Sequence, residues 1–195
     1  MNLYMADFPS GRMNLGIMYS NQQKLKEAAK EYEEAIKIDS LFYPAKVNLA
    51  ILYNQLGKND KAEILLRSLV KVNNELFDAN YYLGLLLAEK KNYSEAVFYM
   101  LKASELNPKR GRINYNAGLM LQYLSRNNEA EKELLKALAT EPNNFDFLYA
   151  LANHYVKQNN LAKAKRVAKK LKLLFPSNSI GNDLLNKINT KRRSL

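Results

Sequence analysis

The sequence repeats itself with a period of about 34 residues, and this periodicity constrains the fold more than any other feature. From Pro9 onward, five successive segments align without an insertion or a deletion. A repeat of about 20–50 residues is typical of architectures that stack one supersecondary unit on the next. Equivalent positions carry the same type of residue, as in the column Leu15, Leu49, Leu83, Ala117, Leu151 and in the small-residue columns Gly16, Ala50, Gly84, Gly118, Ala152 and Ala28, Ala62, Ala96, Ala130, Ala164.

Apolar residues inside each segment recur three or four positions apart, which is the spacing of an amphipathic α-helix. Small residues in two columns allow paired helices to approach closely. Pro108, Pro142 and Pro176 end a helix in their segments, because proline lacks an N–H group. The sequence therefore predicts five helix pairs, over residues 10–21/25–38, 44–56/59–72, 78–90/93–106, 111–124/127–139 and 145–158/161–174.

The pattern resembles the tetratricopeptide repeat (TPR) family, whose period is also about 34 residues. The most similar segment is 77–110, which contains Leu83-Gly84, Tyr93, Ala96, Ala103 and Asn107-Pro108. The resemblance implies an all-α, right-handed superhelical TPR solenoid of five helix-turn-helix repeats. The predicted organisation is a lead-in (1–8), five units (9–42, 43–76, 77–110, 111–144, 145–178), a capping helix (179–190) and a basic tail (191–195).

The resemblance also implies a concave groove lined by the first helix of each unit. The positions expected there are apolar, aromatic or amide: Met13, Asn14, Ile17, Val47, Asn48, Ile51, Tyr81, Tyr82, Leu85, Tyr115, Asn116, Leu119, Tyr149 and Asn153. Tyrosine offers a large rigid contact area with a polar tip. We expect a non-enzymatic protein–protein interaction scaffold that binds a peptide segment or a partner protein in this groove. In the alternative interpretation, many of these side chains pack between adjacent first helices.

The positive charge is concentrated at one end of the chain. Residues 1–156 hold 19 basic and 18 acidic side chains, whereas residues 157–195 hold 11 basic side chains and one acidic one. A basic patch is expected on one helix, at Lys163, Lys165, Arg166, Lys169, Lys170 and Lys172. It could hold a phosphate backbone, an anionic membrane surface or an acidic protein patch. An adaptor that uses this basic end to bind nucleic acid or an anionic membrane surface is the alternative function. A solubilising cap with a disordered tail is the simpler interpretation, and the patch lacks the interleaved aromatics that favour nucleic acid.

The composition argues against an enzyme. The chain has no cysteine and a single histidine, His154. This excludes thiolate zinc sites, disulfides and cysteine nucleophiles. The acidic clusters Glu31/Glu33/Glu34 and Glu129/Glu131/Glu133 alternate with lysines and are interpreted as solvated ion-pair faces. The sequence predicts no catalytic residue, no metal site and no cofactor.

Partner and compartment are only loosely constrained. The sequence has no apolar run long enough to cross a membrane, so a soluble, cytoplasmic protein is expected. The opening Ala6–Gly16 is similar to the start of C-terminal TPR modules in bacterial multihaem cytochrome-type proteins. That resemblance implies a periplasmic fragment of a secreted multidomain protein. Because Met1–Phe8 is too short for a full cap, self-association through the N-terminal end is also expected.

Overall fold

A computed structural model describes residues 8–193 of the chain, with side chains up to Lys191. Within this range there are eleven α-helices and no strand. They are α1 (Pro9–Asn21), α2 (Leu25–Ile38), α3 (Tyr43–Gln55), α4 (Asn59–Val72), α5 (Phe77–Glu89), α6 (Tyr93–Leu106), α7 (Gly111–Tyr123), α8 (Asn127–Thr140), α9 (Phe145–Lys157), α10 (Leu161–Leu174) and α11 (Ile180–Arg193). Each bound of the five predicted pairs lies within one residue of the observed one. Most of the predicted lead-in and the end of the basic tail lie outside the described residues.

The chain divides into two compact units, Met1–Lys91 and Asn92–Leu195. In the first unit, each helix from α1 to α5 packs against the next, and α3 also contacts α1 and α5. In the second unit, α6 to α11 pack in the same sequential way, and α9 also contacts α7 and α11. Each helix therefore buries its apolar stripe against its neighbours in sequence, as expected for stacked helix pairs.

The turn inside each helix pair has the same geometry in all five repeats. A residue with a positive φ occurs at the same position of every repeat: Gln23 (61°), Gly57 (70°), Lys91 (63°), Ser125 (58°) and Asn159 (57°). The following N–H bonds back to the helix, as in Lys24 N–H to the Tyr19 carbonyl (2.9 Å) and Arg126 N–H to the Leu121 carbonyl (2.9 Å). This pattern is the Schellman motif, which ends a helix with one left-handed residue.

The small-residue column allows the helices of a pair to approach closely. A Cβ added to Gly16 would lie 2.5 Å from the ring of Tyr32, and one added to Gly118 would lie 2.9 Å from Leu134 Cγ. Tyr32 and Leu134 are themselves buried. The glycines thus provide the space that a large side chain on the second helix occupies.

The last helix is longer than predicted. α11 packs against α10 and α9 with Leu184 and Ile188 buried, as expected for a cap. It ends at Arg193, three residues beyond the predicted end. The reason is local: Lys191 donates from Nζ to the Val156 carbonyl over 3.0 Å, which holds the last turn against α9.

No helix between residues 8 and 193 combines the length and the apolar character needed to cross a bilayer.

Candidate functional site

The predicted groove residues of the first unit differ in how much surface they offer. Asn14 is exposed, and the side chains of Met13, Ile17, Asn48, Ile51, Tyr82 and Leu85 are partly exposed. Val47 and Tyr81, by contrast, are buried, and each has only 8% of its surface exposed to solvent. Tyr81 is covered because its ring stacks on Phe77 (5.9 Å between centroids) and meets the edge of Tyr82 (5.2 Å). Val47 and Tyr81 therefore contribute to packing more than to an open surface.

In the second unit, the predicted groove residues on the first helices, α7 and α9, are more exposed to solvent. Tyr149 is 40% exposed and Leu119 is 38% exposed. Tyr149 stacks on Phe145 with nearly parallel rings (6.2 Å, 6°), which supports it from one side and leaves it accessible. Tyr115 is half-buried because it stacks on Phe147 (5.1 Å). The two helices therefore expose Leu119 and Tyr149, and ring stacking supports Tyr115 and Tyr149.

Two charged residues that the sequence analysis did not select complete this surface. Arg112 donates from both terminal guanidinium nitrogens to Oδ2 of Asp146, over 3.0 and 3.1 Å. The guanidinium also lies over the rings of Tyr115 (5.0 Å) and Phe147 (5.1 Å). Burial raises the pKa of the Tyr115 phenol, Asp146 raises it further and Arg112 opposes this.

The signal for this ion pair was present in the sequence. Arg112 and Asp146 are separated by one full period, so they occupy the same repeat position on consecutive first helices. Each lies one turn before a predicted groove tyrosine, Tyr115 or Tyr149. Reading charges by repeat column, in addition to apolar residues, would have identified them.

The amide side chains of the second unit are available for hydrogen bonding. Asn116 and Asn153 are partly exposed, and neither makes a side-chain hydrogen bond to another of residues 8–193. In the first unit, by contrast, Asn48 donates from Nδ2 to the Pro44 carbonyl over 3.0 Å. An asparagine amide has two donors and one acceptor oxygen and can therefore pair with a peptide backbone.

The single histidine is part of the core. His154 is 1% exposed, and its Nδ1 has no hydrogen-bond partner in the described part of the chain. Burial lowers the pKa of its imidazole, and the charges of Lys157 and Lys163 add to this, whereas Glu131 opposes it. Residues 8–193 contain no group of three or more side chains arranged to hold a metal ion.

One acidic residue behaves differently from the prediction. Glu133 was expected on a solvated face, but it is only 4% exposed. Its carboxylate accepts hydrogen bonds from Asn114 Nδ2 (2.7 Å) and from Lys136 Nζ (2.8 Å), and Asn114 also donates to Ser104 (2.7 Å). The expectation was wrong because Asn114 and Ser104 lie on other helices, which the charge pattern of α8 alone does not reveal.

The basic patch on α10 divides into two sets. Lys163 pairs with Glu131 (2.7 Å) and lies over the Tyr155 ring, and Lys170 donates to the Pro142 carbonyl (2.7 Å). Four others form no hydrogen bond or ion pair with any of the described residues: Lys165, Arg166, Lys169 and Lys172.

Comparisons with known proteins agree with the repeat pattern. Models of the tetratricopeptide repeat match residues 21–86 and 121–188, and a second such model matches residues 77–110. No curated protein matches the chain in sequence. None of these matches bears on the resemblance to multihaem cytochrome-type modules.

Solved structures share the fold at low sequence identity. YrrB, titled a TPR protein with an unusual peptide-binding site, is 20% identical with a TM-score of 0.76, over 92% of this chain and 93% of that one. PilF of Pseudomonas aeruginosa is 20% identical with a TM-score of 0.77, over 95% and 84%. A MamA structure is 18% identical with a TM-score of 0.75, over 85% and 91%. The predicted all-α TPR solenoid class and its repeat count are confirmed.

Proposed function

Since the chain belongs to the tetratricopeptide repeat family, we propose that it is a non-enzymatic protein-interaction scaffold. Its binding surface is formed by α7 and α9 and accepts an extended peptide segment of a partner protein. YrrB, which shares the fold, is described as having a peptide-binding site, and this supports the proposal.

One observation carries the assignment. Tyr149 and Leu119 are exposed apolar side chains on the same two helices as the Arg112–Asp146 pair and the free amides of Asn116 and Asn153. Interfaces gain most of their free energy from supported aromatic anchors surrounded by polar groups. The tyrosine provides the anchor, and the amides provide backbone hydrogen bonds that do not depend on the peptide sequence.

The Arg112–Asp146 pair adds a charge preference. Both donated hydrogen bonds end on Oδ2 of Asp146, and about half of each side chain is exposed. Oδ1 of the carboxylate can therefore accept a hydrogen bond from a lysine or arginine of the peptide. We expect bound peptides to contain a basic residue beside an apolar one.

A displayed library of random 12-residue peptides, selected on the full chain, tests the proposal. The dissociation constants of the selected peptides are then measured for the variant Leu119→Ser/Tyr149→Ser. We expect binding to weaken at least tenfold, because the variant removes both exposed apolar side chains. Asp146→Asn should weaken the binding of basic peptides several-fold.

The matched control is Leu135→Ser/Phe98→Ser. These residues are also exposed in the second unit, at 46% and 64%, but lie on the second helices α8 and α6. Peptide binding should be unchanged in this variant. A loss in the control with no loss in Leu119→Ser/Tyr149→Ser would place binding on the second helices and refute the proposal.

A further inference from the structure

A second candidate site lies at the end of the chain, between α10 and the last helix α11. The two helices enclose an open pocket of about 600 Å³. Lys165, Arg166 and Lys169 of α10 line one side, and Ile188 and Asn189 of α11 line the other. The volume is within the range of about 300–1,000 Å³ that small-ligand sites occupy.

The three cations form no side-chain hydrogen bond or ion pair with any of residues 8–191, and no carboxylate lines the pocket. They occupy one stripe of α10, because residues three and four apart share a helix face. Lys165 and Lys169 are separated by a rise of about 6 Å along the helix axis. Like charges at this spacing repel one another and destabilise a helix, and a bound anion would offset this repulsion.

The cluster is specific to the fifth repeat. At the same three positions, α8 carries Glu131, Lys132 and Leu135, and α4 carries Glu63, Ile64 and Arg67. In those helices the glutamates pair with lysines or an arginine, as Glu131 does with Lys163 and Glu63 with Arg67. A purely basic stripe is therefore not a requirement of the repeat.

We propose that this pocket binds a compact anion that carries two or more phosphate groups. The planar guanidinium of Arg166 can form paired hydrogen bonds to phosphate oxygens, and the lysines supply point charges. The amide of Asn189 adds a neutral donor. The apolar side chains of Leu161 and Ala162, which also line the pocket, would contact the carbon part of a phosphate ester. This site is separate from the proposed peptide surface on α7 and α9.

The pocket fits a small anion better than a nucleic acid. No aromatic side chain lines it, whereas proteins that hold single strands stack the bases on aromatic rings. Its cations also converge in a concave site, whereas binding to a duplex requires contacts spread along the phosphate backbone.

Calorimetric titration of the full chain with inorganic tripolyphosphate at 150 mM salt tests the proposal. We expect saturable one-to-one binding that is at least tenfold tighter than binding of orthophosphate. Arg166→Gln should weaken it about three- to tenfold, and Lys165→Gln/Arg166→Gln/Lys169→Gln should abolish it. No binding of tripolyphosphate to the unaltered chain would overturn the proposal.

The control variant Lys26→Gln/Lys30→Gln/Lys58→Gln removes the same charge from lysines of the first unit. It should bind tripolyphosphate like the unaltered chain. An equal loss in the two triple variants would show that net charge alone attracts the anion and would overturn the proposal. Asn189→Asp tests whether the anion binds in this pocket. The substitution adds a carboxylate to the lining with almost no change in side-chain shape, and it should weaken binding about tenfold.

Two further probes distinguish the source of the phosphates. Soluble inositol trisphosphate and vesicles that contain phosphatidylinositol bisphosphate present similar phosphate groups. If both probes bind and both lose binding in the pocket triple variant, the natural ligand is a lipid headgroup. If only the soluble compound binds, the natural ligand is a free metabolite. A 20-base-pair duplex that binds more tightly than tripolyphosphate, and equally to both triple variants, would instead indicate a general basic surface and refute the proposal.

Discussion

Two successive interfaces in the second unit use the same repeat positions with opposite chemistry. Where α7 packs against α6 and α8, three positions hold a buried polar network: Ser104, Asn114 and Glu133. One repeat further along the chain, the same positions hold Leu138, Leu148 and Val167. Leu148 and Val167 belong to an apolar core cluster, and the partly buried Leu138 packs against it. The repeat therefore determines which positions are buried, but polar and apolar residues can both occupy them.

The lysine beside each interface has a different hydrogen-bond partner, depending on whether the interface is polar or apolar. Lys136 donates to the buried Glu133, over 2.8 Å. Its counterpart Lys170 has no carboxylate at the equivalent position and donates to the Pro142 carbonyl, over 2.7 Å. Because an unsatisfied buried polar group is costly, a network like this is stable only when every member has a partner. The three polar residues should thus act as one unit.

Breaking the network is expected to have the largest effect. Asn114→Ala removes a hydrogen bond from the nearly buried Glu133 carboxylate and leaves a cavity. Losing a partner of a buried charged group costs several kcal/mol, so we expect the free energy of unfolding to fall by about 3 kcal/mol. Urea unfolding followed by circular dichroism measures this change.

The control for that prediction converts one interface into the other. Ser104→Leu/Asn114→Leu/Glu133→Val installs the residues of the following repeat, and replacing a buried ionic network by packed apolar groups is often neutral or stabilising. The triple variant should unfold within about 1.5 kcal/mol of the unaltered chain. A triple variant that is less stable than Asn114→Ala would show that the two interfaces are not interchangeable.

The comparison also explains what could be predicted from the sequence. The bounds of the ten paired helices, α1 to α10, were predictable to within one residue, because the apolar and small columns report burial directly. The Glu133 network was not, since its members are on three helices and each alone is typical of a solvated surface. The difference between Tyr81 and Tyr149 was not predictable either. Both tyrosines stack on the phenylalanine four residues before them, but Tyr81 also meets the edge of Tyr82, whereas the equivalent position after Tyr149 holds Ala150.

A second prediction concerns His154, which occupies the position that Met120 holds in the preceding repeat. Burial lowers the pKa of the folded-state imidazole below its ordinary value of 6.5. The unfolded chain therefore takes up a proton first as the pH falls, and stability is lost below about pH 6.5.

The measurement is chemical unfolding at pH 7 and at pH 5 for the unaltered chain and for His154→Met. The methionine variant should lose less stability between these pH values, because it keeps the apolar packing and removes the titrating group. Glu131, whose pKa is lowered chiefly by its hydrogen bond from Lys163, titrates below this window in both proteins. An identical pH dependence in the two proteins would contradict the assignment.

The smallest expected effect distinguishes the turns of the same two repeats. Ser125 and Asn159 both adopt a left-handed backbone, at φ 58° and 57°. That conformation costs most residues about 1–2 kcal/mol, whereas asparagine tolerates it, and glycine adopts it at an entropic cost of about 0.5–1 kcal/mol. Ser125→Gly should therefore raise the free energy of unfolding by about 0.5–1 kcal/mol, and Asn159→Gly should change it less. Gly57→Ser is the reverse control and should lower stability by a similar amount, because Gly57 has a φ of 70°. If Ser125→Gly destabilises the protein in thermal unfolding, the shared turn geometry is not what limits the stability of this repeat.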